Sequence, residues 1–340
     1  AEAVTDYLRD QGVKVGVLNL TMFRPFPSDL ITRMLAGKKA VTVLERLDQP
    51  LAADPPILRE IRAAMAQGVE NGRAARAQGG GNGRSLPTAG TSSRLPVPEL
   101  AALQPEDVPD FYAGGFGFGS RDLQPGDLVA TVENMTDPAR GRRHFYLGFE
   151  FVKRGTTMPK LQIWQEQILE DYPHLGELAL ESAGDIDLMP EDAISIRIHS
   201  VGGWGAITMG KNVAMTAHEL AGFNIKANPK YGSEKKGQPT TFYATLSKEA
   251  IRPNAELKHV DVVLSPDPNV FRNSDPLAGL SDGGVFIIQT DQTPEELWDS
   301  FPVAARRELV EKQIRVFALD AFKIASEEAS DADLRYRMQG

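Results

Sequence analysis

Glycines and polar side chains in the second half of the sequence have the types and spacing of an anion-binding turn. Gly203 and Gly205 follow an apolar run and precede a helical pattern, in which Lys211 and Asn212 come next. Glycine lets the backbone approach a ligand closely, and the first N–H groups of a helix can face a negatively charged group. The sequence therefore predicts that these four residues contribute to an anion site.

A second basic segment lies further along the chain. Lys226, Lys230, Ser233, Lys235 and Lys236 fall in a stretch rich in Gly and Pro, which predicts a loop. Lysines on such a loop, beside a glycine turn, can hold phosphate groups. We therefore predict that Ser233, Lys235 and Lys236 also bind the ligand, and a solvated basic loop without a ligand is the equal alternative.

Two nucleotide-binding interpretations of the glycine turn are incomplete. Residues 205–212 almost match the phosphate-binding loop of nucleotide hydrolases, but Asn212 stands where Ser or Thr must supply a magnesium ligand. Gly202, Gly203 and Gly205 are too closely spaced for the dinucleotide-binding motif, and no acidic residue ends the next strand at the right place. A tight turn that only packs a helix against a strand is the structural alternative.

Side chains that commonly carry catalysis or bind metals have no recognisable spacing here. The five histidines lack H-x-H and H-E-x-x-H spacing, no serine lies in a nucleophile elbow, and no carboxylates pair as an acid–base dyad. These histidines are His144, His174, His199, His218 and His259. We predict no catalytic residue and no metal ligand, and we interpret His199 as a hydrogen-bonded structural residue.

The elements that must position these residues begin with alternating helices and strands. The predicted elements are a helix ending at Gly12, a strand at 13–20, a helix between Pro27 and Gly37, a strand at 40–45 and a helix at 56–65. The β-α-β order is typical of a parallel sheet. Residues 68–98 are poor in large apolar side chains and predict a flexible loop.

The remaining sequence predicts a second sheet. Strand-like runs at 127–132 and 144–147 precede a helical connector at 155–190. A strand at 194–201 alternates apolar residues with Ser195, Arg197 and His199, so one face is predicted to be solvated or covered by polar contacts. A helix with apolar residues at 207, 213, 214, 217 and 220 ends near Gly222, strands follow at 240–246, 260–264, 285–289 and 314–319, and a helix follows at 321–329.

These elements predict an α/β fold with two Rossmann-like parallel or mixed sheets flanked by helices and joined by a long, partly irregular connection. The predicted division is a first α/β domain at 1–67, a flexible Gly/Arg/Pro-rich loop at 68–111, the remainder of the first domain with a helical connector at 112–190, and a second domain at 191–340.

Composition excludes several classes of function. The 46 acidic against 37 basic residues give a net charge of -9, which disfavours nucleic acids and anionic membranes as partners. With no signal-like N-terminus and no apolar run approaching ~20 residues, we expect a soluble, cytoplasmic protein. The chain has no cysteine, so it cannot itself ligate an iron–sulfur cluster by thiolates. Because it starts without Met and stops directly after a helical pattern, we interpret it as a fragment.

Several motifs follow one another along the chain, at residues 15–27, 40–46, 112–123, 202–212, 235–236, 262–268, 282–286 and 318–325. Together they resemble the 2-oxoacid:ferredoxin oxidoreductases of the pyruvate:ferredoxin/flavodoxin type. Residues 15–27, 40–46 and 112–123 resemble their transketolase C-terminal-like domain. The motifs that resemble their gamma domain are residues 202–212, 235–236, 262–268, 282–286 and 318–325. The resemblance assigns the first predicted domain to the transketolase C-terminal-like type and the second to the gamma type.

The resemblance implies a parent enzyme that oxidatively decarboxylates a 2-oxoacid such as pyruvate. It implies thiamine diphosphate and magnesium, transfer of the acyl group to coenzyme A, and electron transfer through iron–sulfur clusters to ferredoxin or flavodoxin. The thiamine and cluster sites would lie in domains absent here, whereas Lys235 and Lys236 stand where the gamma domain carries paired lysines expected to contact coenzyme A. Other domains or subunits of an oligomer would be partners; a non-catalytic α/β scaffold or an anion-binding or coenzyme A-binding subunit is the alternative.

Overall fold

A computed structural model of the chain describes residues 1–49, 51–77, 101–137, 139, 141–152, 159–201, 205–231 and 239–328. The chain divides into two units, Ala1–Leu188 and Met189–Gly340. The first contains a three-stranded parallel sheet and the second a six-stranded mixed sheet, each flanked by helices. The predicted α/β fold class is confirmed.

The first unit carries helices on both faces of its small sheet. Its helices are α1 (Glu2–Asp10), α2 (Ser28–Leu35), α3 (Pro56–Ala77), α4 (Pro125–Thr136), α5 (Pro159–Asp171) and α6 (His174–Leu178), and its strands are β1 (Ala40–Glu45), β2 (Asp110–Gly115) and β3 (His144–Tyr146). The strands are parallel in the order β1-β2-β3. Apolar side chains of α2 and α3 pack on one face against Phe111 and Ala113, while α4 contacts β1 on the other, where Thr42 Oγ1 lies 3.3 Å from Met135 Sδ.

Residues 13–20, predicted as a buried strand, are not in a strand. They are extended between α1 and α2, and several of their side chains, including Val17 and Leu18, are exposed. An extended apolar run becomes a strand only when a neighbour supplies hydrogen-bonding partners. Among the described residues no strand pairs with this segment, and its backbone bonds at Val13 and Val15 are local ones within residues 8–15. The predicted β-α-β unit is therefore reduced to α2 followed by β1.

Residues 127–132, also predicted as a strand, lie within α4. A short apolar run does not separate a buried helix from a strand by periodicity. Local chemistry selects the helix: Pro125 takes its first position, and the Asp127 carboxylate accepts the Gln124 N–H at 2.9 Å in a capping box.

The predicted flexible loop starts too early in the sequence. Helix α3 continues through residues 68–77 to Ala77, because Gly68 and Gly72 are buried against Leu103 and the helix gains tertiary contacts there. The rest of the predicted 68–98 loop, from residue 78 onward, lies outside the described residues. The helical connector at 155–190 is confirmed for α5 and α6, whereas residues 179–190 are irregular.

The second unit is built around a six-stranded sheet. Its strands are β4 (Ile194–Val201), β5 (Asn224–Tyr231), β6 (Pro239–Ser247), β7 (Val260–Ser265), β8 (Leu280–Gln289) and β9 (Arg315–Leu319), and its helices are α7 (Ala206–Ala221), α8 (Val270–Asn273), α9 (Pro294–Ser300), α10 (Val303–Glu311) and α11 (Ala321–Glu328). The order is β5-β6-β4-β7-β8-β9, in which β5 and β6 are antiparallel to their neighbours and β4, β7, β8 and β9 are parallel.

Different helices cover the two faces of this sheet. On one face Val263, Phe286 and Ile288 form a core with side chains of α8, α9 and α10. On the other face α7 packs against Ile198, Phe242 and Ala244.

The apolar residues predicted to bury α7 are partly wrong. Leu220 is 84% exposed, and the buried positions are Ala206, Gly210 and Ala214, spaced four residues apart. A Cβ atom on Gly210 would lie 2.2 Å from the ring of Phe242, so helix and sheet approach too closely for larger side chains. Of the predicted residues, Ala214 is buried and Ile207 packs against the core, whereas Val213 and Leu220 are exposed.

Candidate functional site

Helix α7 begins directly after the turn that follows β4. Gly205 is its N-cap, with φ 74° in the left-handed region that glycine adopts at low cost, and no side chain caps the helix. The first backbone bond runs from Met209 N to Gly205 O at 2.9 Å, so the N–H groups of residues 206–208 have no intrahelical partner. With the positive end of the helix dipole, these groups favour an anion.

Lys211 and Asn212 lie on the exposed surface of the same helix. They come one turn after residues 207 and 208, and helical side chains lean toward the N-terminus. The structure thus places Gly205, Lys211 and Asn212 in the N-terminal half of one helix, and their role in anion binding stays a prediction. The other predicted binding residues, Gly203, Ser233, Lys235 and Lys236, lie outside the described residues.

Lys226 and Lys230, predicted on a loop, lie instead in strand β5. Lys226 Nζ donates to the carbonyls of Arg252 and Pro253, each at 2.9 Å. Lys230 Nζ donates to both carboxylate oxygens of Glu256, at 2.6 and 2.7 Å. Both ammonium groups are therefore engaged by one irregular segment, which the composition of the stretch could not indicate.

The polar side of β4 is covered by polar contacts, as predicted for that face. Arg197 is only 6% exposed, and its Nη2 donates to the Pro276 carbonyl at 2.8 Å. It also hydrogen-bonds to Tyr243, its cross-strand neighbour, whose hydroxyl donates to Glu256 Oε1 at 3.2 Å. Burial, followed by the Glu256 charge, raises the pKa of Tyr243, and burial lowers the pKa of Arg197.

His199 lies at the carboxyl end of β4 with both ring nitrogens buried. Neither nitrogen has a hydrogen-bond partner among the residues that the structure describes, so the predicted side-chain hydrogen bond is not seen there. Burial, and secondarily the Arg197 charge, lowers the pKa of His199 to about 4, against an opposing effect of Asp275. At neutral pH the ring is an uncharged group with one donor and one acceptor.

The carboxyl ends of β4 and β7 form the point where the chain switches sides of the sheet. From β4 the chain goes to β5 and β6 on one side, whereas β7, β8 and β9 lie on the other, and ligands of open α/β sheets bind at such points. Buried Ser265 donates to the carbonyls of His199 at 3.1 Å and Asp267 at 2.9 Å, and Asp267 Oδ1 accepts the Asn269 N–H at 2.8 Å. Sequence reasoning missed Ser265 and Asp267 as parts of this edge, although Ser265 ends the apolar run of β7 and Asp267 comes two residues later.

Groups of side chains that could hold a metal ion were sought among the described residues. Within the described ranges, no three His, Asp or Glu side chains are grouped to hold a metal ion. The chain supplies no cysteine for an iron–sulfur cluster. No helix in the described part of the chain combines the length and apolar composition needed to cross a bilayer.

Comparisons with known proteins match both units. Residues 1–86 match the family described as pyruvate:ferredoxin oxidoreductase core domain II, and residues 195–339 match the family described as pyruvate ferredoxin/flavodoxin oxidoreductase. The chain is 21% identical over 327 residues to the pyruvate:ferredoxin oxidoreductase of Moorella thermoacetica, covering 96% of this chain and 23% of that protein. The chain thus spans about a quarter of the length of that relative.

A shorter relative matches part of the chain at higher identity. The pyruvate/ketoisovalerate oxidoreductases common subunit gamma of Thermococcus litoralis is 34% identical over 134 residues, which are 39% of this chain and 68% of that subunit. Among solved structures, the pyruvate oxidoreductase subunit PORC of Thermotoga maritima is 22% identical with a TM-score of 0.32, covering 44% of this chain and 74% of that one. The chain belongs to the pyruvate ferredoxin/flavodoxin oxidoreductase family.

Proposed function

We propose that the chain is a segment of an oxidoreductase that oxidatively decarboxylates a 2-oxoacid, pyruvate or a similar acid, to an acyl-coenzyme A. Electrons pass through iron–sulfur clusters to ferredoxin or flavodoxin. The observation that carries this proposal is the order of the matches along the chain. The match to core domain II lies in the first unit, and the match to the pyruvate ferredoxin/flavodoxin oxidoreductase family lies in the second. The similarity to the long relative extends over 96% of this chain. Two unrelated α/β units would not keep that order.

Within this enzyme, the second unit binds the phosphate groups of coenzyme A. Support comes from the uncapped N-terminus of α7 after Gly205, with exposed Lys211 and Asn212 on the same helix. Gly203, Ser233, Lys235 and Lys236 complete this proposed site. Thiamine diphosphate with magnesium would supply the electron sink for decarboxylation, and the clusters need cysteines that other parts of the parent enzyme must provide. The parent is an oligomer in the cytoplasm.

Steady-state kinetics of the parent enzyme test the binding role. Lys211→Gln removes one cation from the proposed site, so KM for coenzyme A should rise about two- to five-fold, since an exposed ion pair is worth about 0.5–1 kcal/mol. The kcat and the KM for the 2-oxoacid should not change.

The matched control is Lys258→Gln, at another exposed lysine of the second unit. An equal effect of the two substitutions, or none from either, would remove Lys211 from the proposed site without affecting the assignment of the enzyme. A parent protein with no 2-oxoacid oxidation at all would favour a non-catalytic scaffold.

A further inference from the structure

Strand β1 has an unused edge. Asp110 N donates to Lys39 O at 3.2 Å and Phe116 N donates to Glu45 O at 3.1 Å, so the odd-numbered residues of β1 bond to β2. By the alternation of a parallel ladder, the backbone N–H and C=O groups of Ala40, Thr42 and Leu44 point away from β2. No described residue pairs with them.

The composition of β1 does not suit an edge strand. It is an apolar run of the kind found in strands flanked on both sides. Edge strands usually carry charges, prolines or bulges that prevent further pairing, and β1 carries none before the buried Glu45 at its end. Its residues are half-buried, whereas most of β2, which has neighbours on both sides, is buried.

A second unpaired segment passes beside this edge. Val13 and Val15 pack in the cluster of α1 and α4 on one face, and Leu20 packs with Val41 and Val43 in the cluster of α2 and α3 on the other. Because β2 and β3 lie on the opposite side of β1, we place the crossing of the chain between these faces at the free edge of β1, and residues 13–16 line one cavity with Lys38, which lies just before β1. Residues 13–20 are called the extended segment below.

The last five residues of the extended segment also lack partners for their backbone among the described residues. After Val15, whose carbonyl accepts Arg9 Nε at 2.8 Å, no backbone group of residues 16–20 is hydrogen-bonded to any other described residue. Val17 and Leu18 are 40% and 38% exposed. Extended backbone that has apolar side chains and no strand partner can form hydrogen bonds with an added β-strand.

We infer that the free edge of β1 and the extended segment are the two sides of a slot for one further β-strand. The strand would pair with Ala40, Thr42 and Leu44 on one side and with residues 16–19 on the other. Its side chains would be apolar on both faces, because apolar clusters from α2 and α3 lie on one side of the sheet and those from α1 and α4 on the other.

The occupant is an apolar extended segment from the part of the oxidoreductase outside these 340 residues. The chain spans only 23% of the length of a relative that it follows over nearly all of its own length, so most of such an enzyme remains to supply the strand. The inference rests on this membership and not on the proposed coenzyme A site.

Residue-level hydrogen exchange tests the slot, in the 340-residue chain alone and in the intact parent enzyme, read by mass spectrometry after quenching. In the isolated chain, the amides of Thr42 and Leu44 should exchange freely while those of Val41 and Val43 are protected by β2. In the intact enzyme all four should be protected, with exchange of Thr42 and Leu44 slowed roughly tenfold or more. Protection of Thr42 and Leu44 in the isolated chain, or free exchange in the intact enzyme, would overturn the inference.

A variant pair separates the slot from general stability. Val17→Lys places a charge in the slot at a side chain already 40% exposed, so the isolated chain should fold as before, while Thr42 and Leu44 lose their protection in the intact enzyme. Leu51→Lys, at a fully exposed apolar residue of the same unit, should leave that protection unchanged. Equal protection in the two variants would contradict the slot, whatever the activity of the enzyme.

Discussion

His199 links stability to pH in a direction opposite to that of a histidine in an ion pair. Its pKa of about 4 in the folded chain, caused by burial and then by Arg197, is below the usual 6.5 of an unfolded chain. Between these values the unfolded state binds a proton that the folded state does not. The free energy of unfolding should therefore fall as pH decreases from 6.5 toward 4.

Replacing the His199 imidazole should remove its contribution to the pH dependence of stability. His199→Gln should give a smaller loss of unfolding free energy between pH 6.5 and 4 than the unsubstituted chain, measured by urea denaturation at each pH. His174→Gln, at an exposed histidine, is the control and should leave the pH dependence as it was. NMR titration of the His199 ring with a pKa near 6.5 would contradict this assignment.

Glu45 connects a strand to a helix through its carboxylate. It is buried, and it accepts the N–H of Ile57 at 3.1 and 3.0 Å and the N–H of Leu58 at 3.2 Å, at the start of α3. Glu45→Gln keeps the shape but loses the charge at the helix N-terminus, so stability should fall by about 1–2 kcal/mol. Denaturant unfolding measures this loss of stability, and Glu70→Gln, at an exposed residue of α3, is the control. Equal stability of the two variants would exclude the capping role of Glu45.

Among the elements, α7 can pack closely against β6 because Gly210 has no side chain. A Cβ atom at Gly210 would clash with Phe242, which is 1% exposed and held by the sheet. Gly210→Ala should therefore destabilise the chain by about 1–3 kcal/mol, although alanine favours helices. Met215→Ala, at an exposed position of the same helix, should cost far less in a thermal unfolding experiment; a stabilising effect of Gly210→Ala would show that the helix can shift.

Short sequence patterns correctly predicted several strands and one helix. The predicted strands at 40–45, 194–201 and 260–264 and the helix ending at Gly12 agree with the structure, because their apolar runs and glycine stops are read within a few residues. The prediction of a strand at residues 13–20 was wrong, because a strand needs a neighbouring strand, and the apolar residues of this segment do not indicate whether one is present. Strand β5 was missed because Lys226 and Lys230 made it resemble a polar loop, and their partners lie on residues 252–256.

The candidate site was predictable only in part for the same reason. Gly205, Lys211 and Asn212 are close in sequence, so their common position in the N-terminal half of α7 could be predicted, whereas their binding role stays a prediction. Arg197, Tyr243 and Glu256 come together from separate strands and an irregular segment, which spacing cannot reveal. The burial of the His199 ring likewise depends on packing across the sheet.

At the scale of the whole molecule, the two units carry matches to two parts of one enzyme family in the order of a long relative. The sequence has no cysteine to ligate an iron–sulfur cluster, so the clusters of the proposed enzyme need cysteines from outside these 340 residues. A direct consequence is that the isolated 340-residue chain should bind no iron and should not oxidise a 2-oxoacid. Metal analysis of the purified chain and an acceptor-reduction assay check this expectation; stoichiometric iron or turnover by the chain alone would contradict it.

The proposed 2-oxoacid oxidation is measured by assaying the parent protein for pyruvate-dependent reduction of a low-potential electron acceptor, with and without coenzyme A, and for iron, sulfide and thiamine diphosphate in the same sample. We expect acceptor reduction that requires both pyruvate, or another 2-oxoacid, and coenzyme A, in a protein that contains all three components. A parent that lacks these components and reduces no acceptor with any 2-oxoacid would contradict it.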